Sequence, residues 1–528
     1  MRRAGFVLTV VLLAGVWGGA GAQEAGNSSP ETIVVDAHAP GTPFPHFWEE
    51  MFGSGRANLA LRADYREDLD RVKKVTDFQY VRFHAILDDE NGVYSEDAQG
   101  NPVYNWSYVD QIYDGLLAHE IRPYVEISFM PKALAAKVQY HAFWYKPIPS
   151  PPADYAKWDA LMTAFAQHLV ERYGIDEVSQ WYFEVWNEPN IDFWIGRPAQ
   201  QTYFELYDHT ARALKAVNER IRVGGPATAQ AAWVGDMIAH ATQNDVPLDF
   251  VSTHVYGNDS AMDVFHDDRT MAPHQMVCPA VEKVHEEIEH SARPKIPLIW
   301  SEFNASYMNQ QQIEDSIYMG PWMADTISKC DGMTQMMSYW TFSDVFEEGG
   351  PVKIPFWGGF GLVAEGGIPK SSYDVFMELH ELGDERLPAP VNEALVTRKK
   401  DGTLVIAVWN LVEPPPQRAG SPGTLEPGKA GTDKTVTFDF RNLATARTML
   451  HTVTALLGTK AEVRRVDASH GDTLDAWKRM GSPKYPTQAQ IEELRKASDP
   501  GPAEEMPIRD HKLTLVVPPM GLAVVEVK

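Results

Sequence analysis

Between residues 44 and 384, short apolar runs alternate with longer stretches whose apolar positions recur every three or four residues. The runs are PHFWEEMFG, FQYVRFHAIL, RPYVEISFMP, QWYFEVWNEP, RVGGPATA, LDFVSTHVYG, PLIWSEFNAS and MMSYWTFSD. A nearly continuous apolar stretch such as Trp181 to Trp186 is the mark of a strand buried on both faces, as in a parallel sheet. Between the runs, YAKWDALMTAFAQHLVERYG places Trp158, Leu161, Met162, Phe165, Leu169 and Val170 on one helical stripe. YFELYDHTARALKAVNER does the same with Leu206, Ala213, Leu214 and Val217. Eight strand-then-helix units predict a (β/α)8 TIM barrel over residues 44–384. From residue 385 the period falls to two. ALVTRKKDGTLVIAVW predicts a hairpin turning at Lys400-Asp401-Gly402, and KTVTFDFRNL and HKLTLVVPPMGLAVVEVK continue the pattern. Residues 385–528 are therefore expected to form an antiparallel β-sandwich, to which residues 33–43 add a strand. Residues 413–434 and 467–508, rich in Pro, Gly and charge, are expected to be loops or insertions.

The first residues change the picture of where the protein works. Arg2 and Arg3 precede an apolar core from Phe6 to Val16, too short to span a bilayer comfortably, and Ala20-Gly21-Ala22 fits a small-x-small cleavage site. A signal peptide over 1–22 predicts a periplasmic or secreted protein without a membrane anchor. The formal net charge of −25 repels phosphate backbones and argues against nucleic acid as a partner. The two cysteines, Cys278 and Cys330, fall at the start of one predicted helix and the end of the next, so at opposite ends of an ideal barrel. They are expected to be two unpaired thiols, because a disulfide needs Cα atoms within about 7 Å. No CxxC, HExxH or His-rich cluster suggests a metal, and no cofactor is expected.

The candidate chemistry lies in two glutamates. Glu188 ends the fourth apolar run and Glu302 the seventh. A barrel gathers the C-terminal ends of its strands at one rim, so both carboxylates face one space despite their distance along the chain. Hydrolysis of a glycosidic bond needs such a pair: one carboxyl to protonate the leaving oxygen, the other to attack the sugar or activate water. Each sits in an aromatic setting, and an indole offers a flat apolar surface to the C–H face of a sugar. Asn187, just before Glu188, could bond the sugar 2-hydroxyl.

WNEPN after a hydrophobic strand, SEFNAS later, MMSYWTFSDVFEE and FWGGFGLV together resemble the motifs of glycoside hydrolase family 39, a clan A family of retaining β-xylosidases and α-L-iduronidases. VRFHAIL, YVEISFMP, WNEPNIDFW and STHVYG also match, so the resemblance covers about residues 40–385. It implies that Glu188 is the general acid/base and Glu302 the nucleophile. By the same resemblance His84, Phe129, His254, Tyr256, Trp340, Glu347 and Glu348 bind substrate: His254 and Tyr256 beside Glu302, His84 and Phe129 along the first sugar subsite, Trp340 under the ring, and the two glutamates on hydroxyls.

The glycone follows from charge. The iduronidase branch carries a basic residue in an HRKG motif where this chain has HVYG, and two glutamates near the ring disfavour an anionic sugar. The expected activity is that of an exo-acting retaining β-D-xylosidase on xylo-oligosaccharides. α-L-Arabinopyranosidase, or another glycosidase of the family, is the second reading. A non-catalytic carbohydrate-binding protein is the third, discriminated by loss of a carboxylate; this chain has both. The sandwich has only two tryptophans, Trp409 and Trp477, too few for a stacking platform, and is expected to cover a flank of the barrel.

Overall fold

A computed structural model describes residues 31–389, 391–412, 431–443 and 460–527. The segment expected to be a signal peptide, and most of the first expected insertion, lie outside the described residues. Eight parallel strands close into a barrel in chain order: Met51–Arg56, Tyr80–His84, Arg122–Ile127, Tyr182–Val185, Arg222–Thr228, Phe250–Tyr256, Leu298–Asn304 and Met336–Tyr339. The fold is the predicted TIM barrel, with antiparallel sheets at the C-terminal end of the chain. Each barrel strand is followed by a helix, from Ala63–Lys73 after the first to Ser371–His380 after the eighth. The helix Tyr155–Tyr173 shows how the sequence specifies them. The Asp154 side chain accepts from the Ala156 and Lys157 amides at its start, and Trp158, Leu161, Met162, Phe165 and Leu169 are buried on the predicted stripe.

Inside the barrel, Met51, Tyr124, Tyr182, Phe250, Ile299 and Met336 pack as one layer below the site. The first strand begins later than the run PHFWEEMFG suggests. Phe44, Phe47 and Trp48 instead pack against one another beneath the barrel as the chain enters it. The Gly-rich fifth strand is Gly-rich for a steric reason: a Cβ on Gly224 would stand 2.4 Å from the Phe250 carbonyl oxygen of the sixth strand.

In the C-terminal part, a seven-stranded sheet lies with a three-stranded one, and Ile33, Val35, Ile406, Val408, Phe438 and Val525 share its core. The chain's first described strand, Glu31–Asp36, runs parallel to Lys434–Arg441 in the smaller sheet, and Thr42–Pro43 pairs with Glu385–Arg386 in the larger. Trp409 and Trp477 are buried. The second expected loop, 467–508, contains two helices, Thr473–Arg479 and Gln488–Ala497. Their starts carry side-chain caps, from Asp472 and from a Thr487/Gln490 capping box. Leu474, Trp477 and Leu494 pack on Phe356 and Ile368 at the barrel edge.

The cysteines overturn an expectation. Cys278 and Cys330 form a disulfide with Cα atoms 5.2 Å apart. The first turn of helix Val277–Glu289 lies against the last turn of helix Met319–Cys330, and the Cys278 Sγ approaches the Thr326 carbonyl. Strand order fixes which helices are neighbours, but the connecting loops set how far each slides along the barrel axis. Equal axial register was the wrong premise.

Among the described residues, no helix is long and apolar enough to cross a membrane.

Candidate active site

At the C-terminal rim of the strands lies a cavity of about 280 Å³. Glu188 and Glu302 both line it, with His84, Asn187, Tyr256, Trp340 and Glu348 of the sequence-derived set. One carboxylate oxygen of Glu188, one of Glu302 and a ring nitrogen of His254 all lie within 4.8 Å of one another.

The two acids have different surroundings. Glu302 is tied to cations and a phenol. Its Oε1 pairs with the Arg82 guanidinium at 2.6 Å and its Oε2 accepts from the Tyr256 hydroxyl at 2.6 Å. Burial raises its pKa, and Arg82, His84 and the Tyr256 hydrogen bond oppose that rise. Glu188 has no cation bonded to it. Burial, then the charge of Glu302 and that of Asp259, push its pKa well above the ordinary glutamate value. His254 Nδ1 lies 3.0 Å from Glu188 Oε1 and its Nε2 3.1 Å from the Ser301 hydroxyl. Burial and the neighbouring Arg82 and His84 charges hold this imidazole's pKa well below its usual value, so it orients Glu188 without adding positive charge.

The backbone contributes to this asymmetry. Trp186 and Glu188 both have positive φ, 72° and 44°, a conformation costly for residues with a Cβ and found where a fold over-determines a turn. The Glu188 amide bonds the Ala227 carbonyl at 2.8 Å, which pins the turn to the end of the fifth strand.

Arg82 is the functional residue that sequence reasoning missed. It is fully buried in the second strand and reaches Glu184 (2.6 Å), Glu302 (2.6 Å), Glu126 (2.8 Å) and Asn187 Oδ1 (3.0 Å). His84, two residues on and on the same face, donates toward Glu126 at 2.7 Å and lies 3.6 Å from Glu348. Burial alone would lower the His84 pKa; Glu126, Glu348 and Glu302 outweigh it and raise it to about 10. Charged residues inside otherwise apolar runs (Arg82, Glu126, Glu184) were the available signal, because a strand buried on both faces gives such groups no water to reach.

Other expected residues stand elsewhere. Phe129 does not line the cavity. It is fully buried behind it, against Phe193, Trp186 and His84, and Phe193 and Phe143 face the space instead. His254 stands behind Glu188. Glu347 turns away from the cavity: Arg56 and Arg62 each bond one of its oxygens at 2.9 Å. Its neighbour Glu348 faces in, its carbonyl accepting from the Trp144 amide. Trp340 lines the cavity where Gly53 makes room for it; a Cβ there would come within 2.1 Å of the indole.

The loop after the eighth strand is held by a second buried cation. Lys370 pairs with Asp315 at 2.7 Å and Asp344 at 2.8 Å and donates to the Gly359 carbonyl at 2.7 Å. Those aspartates accept in turn from the amides of Gly358 and Gly361, 2.7 Å each. Phe360, between these glycines, lines the cavity.

The residue set of this rim and the closed eight-stranded fold can now be set beside known proteins. The model of the family described as glycosyl hydrolases family 39 matches residues 31–413. The chain belongs to glycosyl hydrolases family 39. It is 36% identical over 464 residues to a β-xylosidase of Geobacillus stearothermophilus, with 86% of each chain covered. It is 35% identical over 463 residues to a β-xylosidase of Caldicellulosiruptor saccharolyticus, covering 86% of this chain and 88% of that one. The crystal structure of a monomeric β-xylosidase from Caulobacter crescentus CB15 superposes with a TM-score of 0.82 at 34% identity, over 94% of this chain and 99% of that one. This family 39 chain is a glycoside hydrolase.

Among the described residues, two groups of side chains have the composition of a metal site, Glu188–His254–Glu302 and His46–Glu49–His380. In the second, buried Glu49 accepts from both imidazoles, at 2.6 and 2.9 Å, which meets its need for hydrogen bonds without an ion. The first belongs to the carboxylate pair.

Proposed function

We propose that this protein is an exported, exo-acting β-D-xylosidase that hydrolyses with retention through a covalent intermediate. The observation that carries the reading is the unequal treatment of two carboxyls facing one cavity. Glu302, paired with Arg82 and hydrogen-bonded by Tyr256, stays ionised and attacks the anomeric carbon. Glu188, buried without a bonded cation, keeps its proton and delivers it to the leaving oxygen. In the second half-reaction Glu188 takes a proton from water, which displaces the sugar from Glu302 and restores the original configuration. The approach of the two carboxylates to within 4.8 Å suits direct attack. An inverting pair stands about 6.5–9.5 Å apart to admit a water between its members.

The glycone reading rests on charge and on shape. Among the described residues His84 is the one cationic side chain lining the cavity, and its engagement by Glu126 and Glu348 disfavours a sugar carboxylate there. Trp340, Phe360 and His84 close the inner end, each at most 5% exposed, which supports release of single terminal residues. The β-xylosidase activity of relatives at 35–36% identity agrees. Export is supported by the Arg2-Arg3, Phe6–Val16, Ala20–Ala22 pattern and by the Cys278–Cys330 disulfide, a bond that persists in oxidising compartments.

The test is a panel of nitrophenyl β-xyloside, α-arabinopyranoside, β-glucoside and α-iduronide, with Glu188→Gln and Glu302→Gln beside wild type. The xyloside should be cleaved best. Glu302→Ala with azide should yield the azide of inverted configuration. Full activity in Glu302→Gln would overturn the assignment of the nucleophile.

A further inference from the structure

The cavity has two unlike ends. Toward the second and eighth strands it is closed by His84, Trp340 and Phe360. Toward the fourth, fifth and sixth strands, the side on which Glu188 stands, it is bounded by Ile191, Gln230 and Asp259, with Tyr307 from the loop after the seventh strand. The closed end is 2–5% exposed, whereas Ile191 is 36% and Tyr307 51% exposed. A proton donor stands beside the oxygen that leaves, so the open end beyond Glu188 receives the leaving group.

Asp259 is the informative group there. Its Oδ2 accepts the Tyr256 amide at 2.8 Å and its own amide bonds the Tyr256 carbonyl at 2.9 Å, which fix it at the rim. No donor among the described residues satisfies its other oxygen. The glycosidic mechanism assigns it no step. Tyr307 meets the Tyr256 ring edge-on at 6.2 Å, and so stands as an aromatic wall on the same side. A fixed acceptor beside an exposed aromatic face is the combination that recognises a neutral pyranose, hydroxyls on the carboxylate and C–H face on the ring.

We infer that Asp259 and Tyr307 form a leaving-group subsite for a second neutral sugar, so that the enzyme selects xylo-oligosaccharides over simple xylosides. This rests on the proposed xylosidase activity. Because Asp259 also lies close enough to raise the pKa of Glu188, the test separates binding of the sugar from an effect on the acid. Methyl β-xyloside needs protonation of a poor leaving group as xylobiose does, but brings no second ring.

The experiment compares kcat/KM for xylobiose and methyl β-xyloside in wild type, Asp259→Asn and Tyr307→Ala, each across pH. Burial raises the Asp259 pKa to about 7, so loss of its charged acceptor should lower the xylobiose-to-methyl-xyloside ratio about tenfold in Asp259→Asn when both are measured above that pH. Loss of the ring should lower it roughly threefold in Tyr307→Ala, an exposed position whose truncation spares the core. A parallel fall on both substrates, with the alkaline limb moved to lower pH, would overturn the subsite and make Asp259 a modulator of Glu188 alone. An unchanged ratio in both variants would also overturn it. A wild type that cleaves neither substrate overturns the xylosidase reading itself, a different result from either.

Discussion

Arg82 and Lys370 are both fully buried cations among carboxylates, and they use the same physics for different ends. Arg82 spreads its guanidinium over Glu126, Glu184, Glu302 and Asn187, and two of those partners, Glu302 and Asn187, line the cavity. Lys370 stands with Asp315 and Asp344, whose remaining hydrogen bonds go to the backbone of Gly358 and Gly361. In the proposed mechanism the first cluster keeps one carboxylate charged and facing the cavity. The second is sealed, and what it fixes is a stretch of main chain. A planar fork with several donors suits the first task and a compact point charge the second. The first positions Glu302 and the second Phe360, and only the first touches a residue of the proposed chemistry.

The largest effect should come from breaking the open cluster at its reacting member. Glu302→Gln keeps the shape while removing the charge of the proposed nucleophile, and should lower kcat by a factor on the order of 10⁴–10⁶. Glu188→Ala should be selective: roughly 10²–10⁴ lost on xylobiose, and far less on aryl xylosides that leave without a proton. Equal losses on both substrates would mean that Glu188 is not the proton donor.

Breaking the sealed cluster should cost stability first. Lys370→Met strands two buried aspartates, a change of about 3–5 kcal/mol in systems of this kind, measured by denaturant unfolding. The variant Lys370→Met/Asp315→Asn/Asp344→Asn carries no stranded charge and should recover part of that loss. The turn at Gly358–Gly361 is no longer clamped in it, so KM should rise more than kcat falls. Wild-type KM in the triple variant would reduce Lys370 to a purely structural role.

These clusters also mark what could be read from the chain. Glu188 and Glu302 were legible because a carboxylate ending an apolar run has few purposes, and the barrel rim follows from the alternation of runs and helices. Arg82, Glu126 and Glu184 left only a partial signal, a charge inside an apolar run, because the run alone does not show which partners the barrel interior brings to it. Glu347 and Glu348 are equal in sequence; Arg56 and Arg62, nearly 300 residues upstream, decide which faces the cavity. Phe129 follows the end of its strand, Arg122–Ile127, but the later Phe143 and Phe193 face the cavity in its place. The disulfide depended on axial offset between helices, which no periodicity encodes. With its cysteines 52 positions apart in sequence it should contribute at most about 4 kcal/mol in the chain-entropy picture. Cys278→Ser/Cys330→Ser should therefore melt lower while wild-type kcat is kept at 25 °C; an unaltered melting temperature would mean that the bond does not form in the isolated protein.

The smallest effect is a change of slope, and it separates a carboxyl tuned for chemistry from one tuned for stability. Glu188 in the folded protein holds its proton more tightly than an unfolded glutamate, because burial and the Glu302 charge penalise its ionised form. The folded state therefore binds more protons than the unfolded one between those two pKa values, and stability must fall as pH rises through that window. The contribution is complete below the ordinary glutamate range and is lost as pH climbs through the folded pKa. Glu188→Gln cannot ionise, so it escapes the loss. Relative to wild type it should gain stability as pH rises, and unfolding measured in parallel at acid and alkaline pH reads the difference. The same ionisation sets the alkaline limb of activity, which should move to lower pH for the residual activity of Glu302→Gln, where the repelling charge is gone. If the stability difference between Glu188→Gln and wild type stayed flat across pH, Glu188 would not be held protonated by its surroundings, and the division of roles between the two glutamates would lose its physical basis.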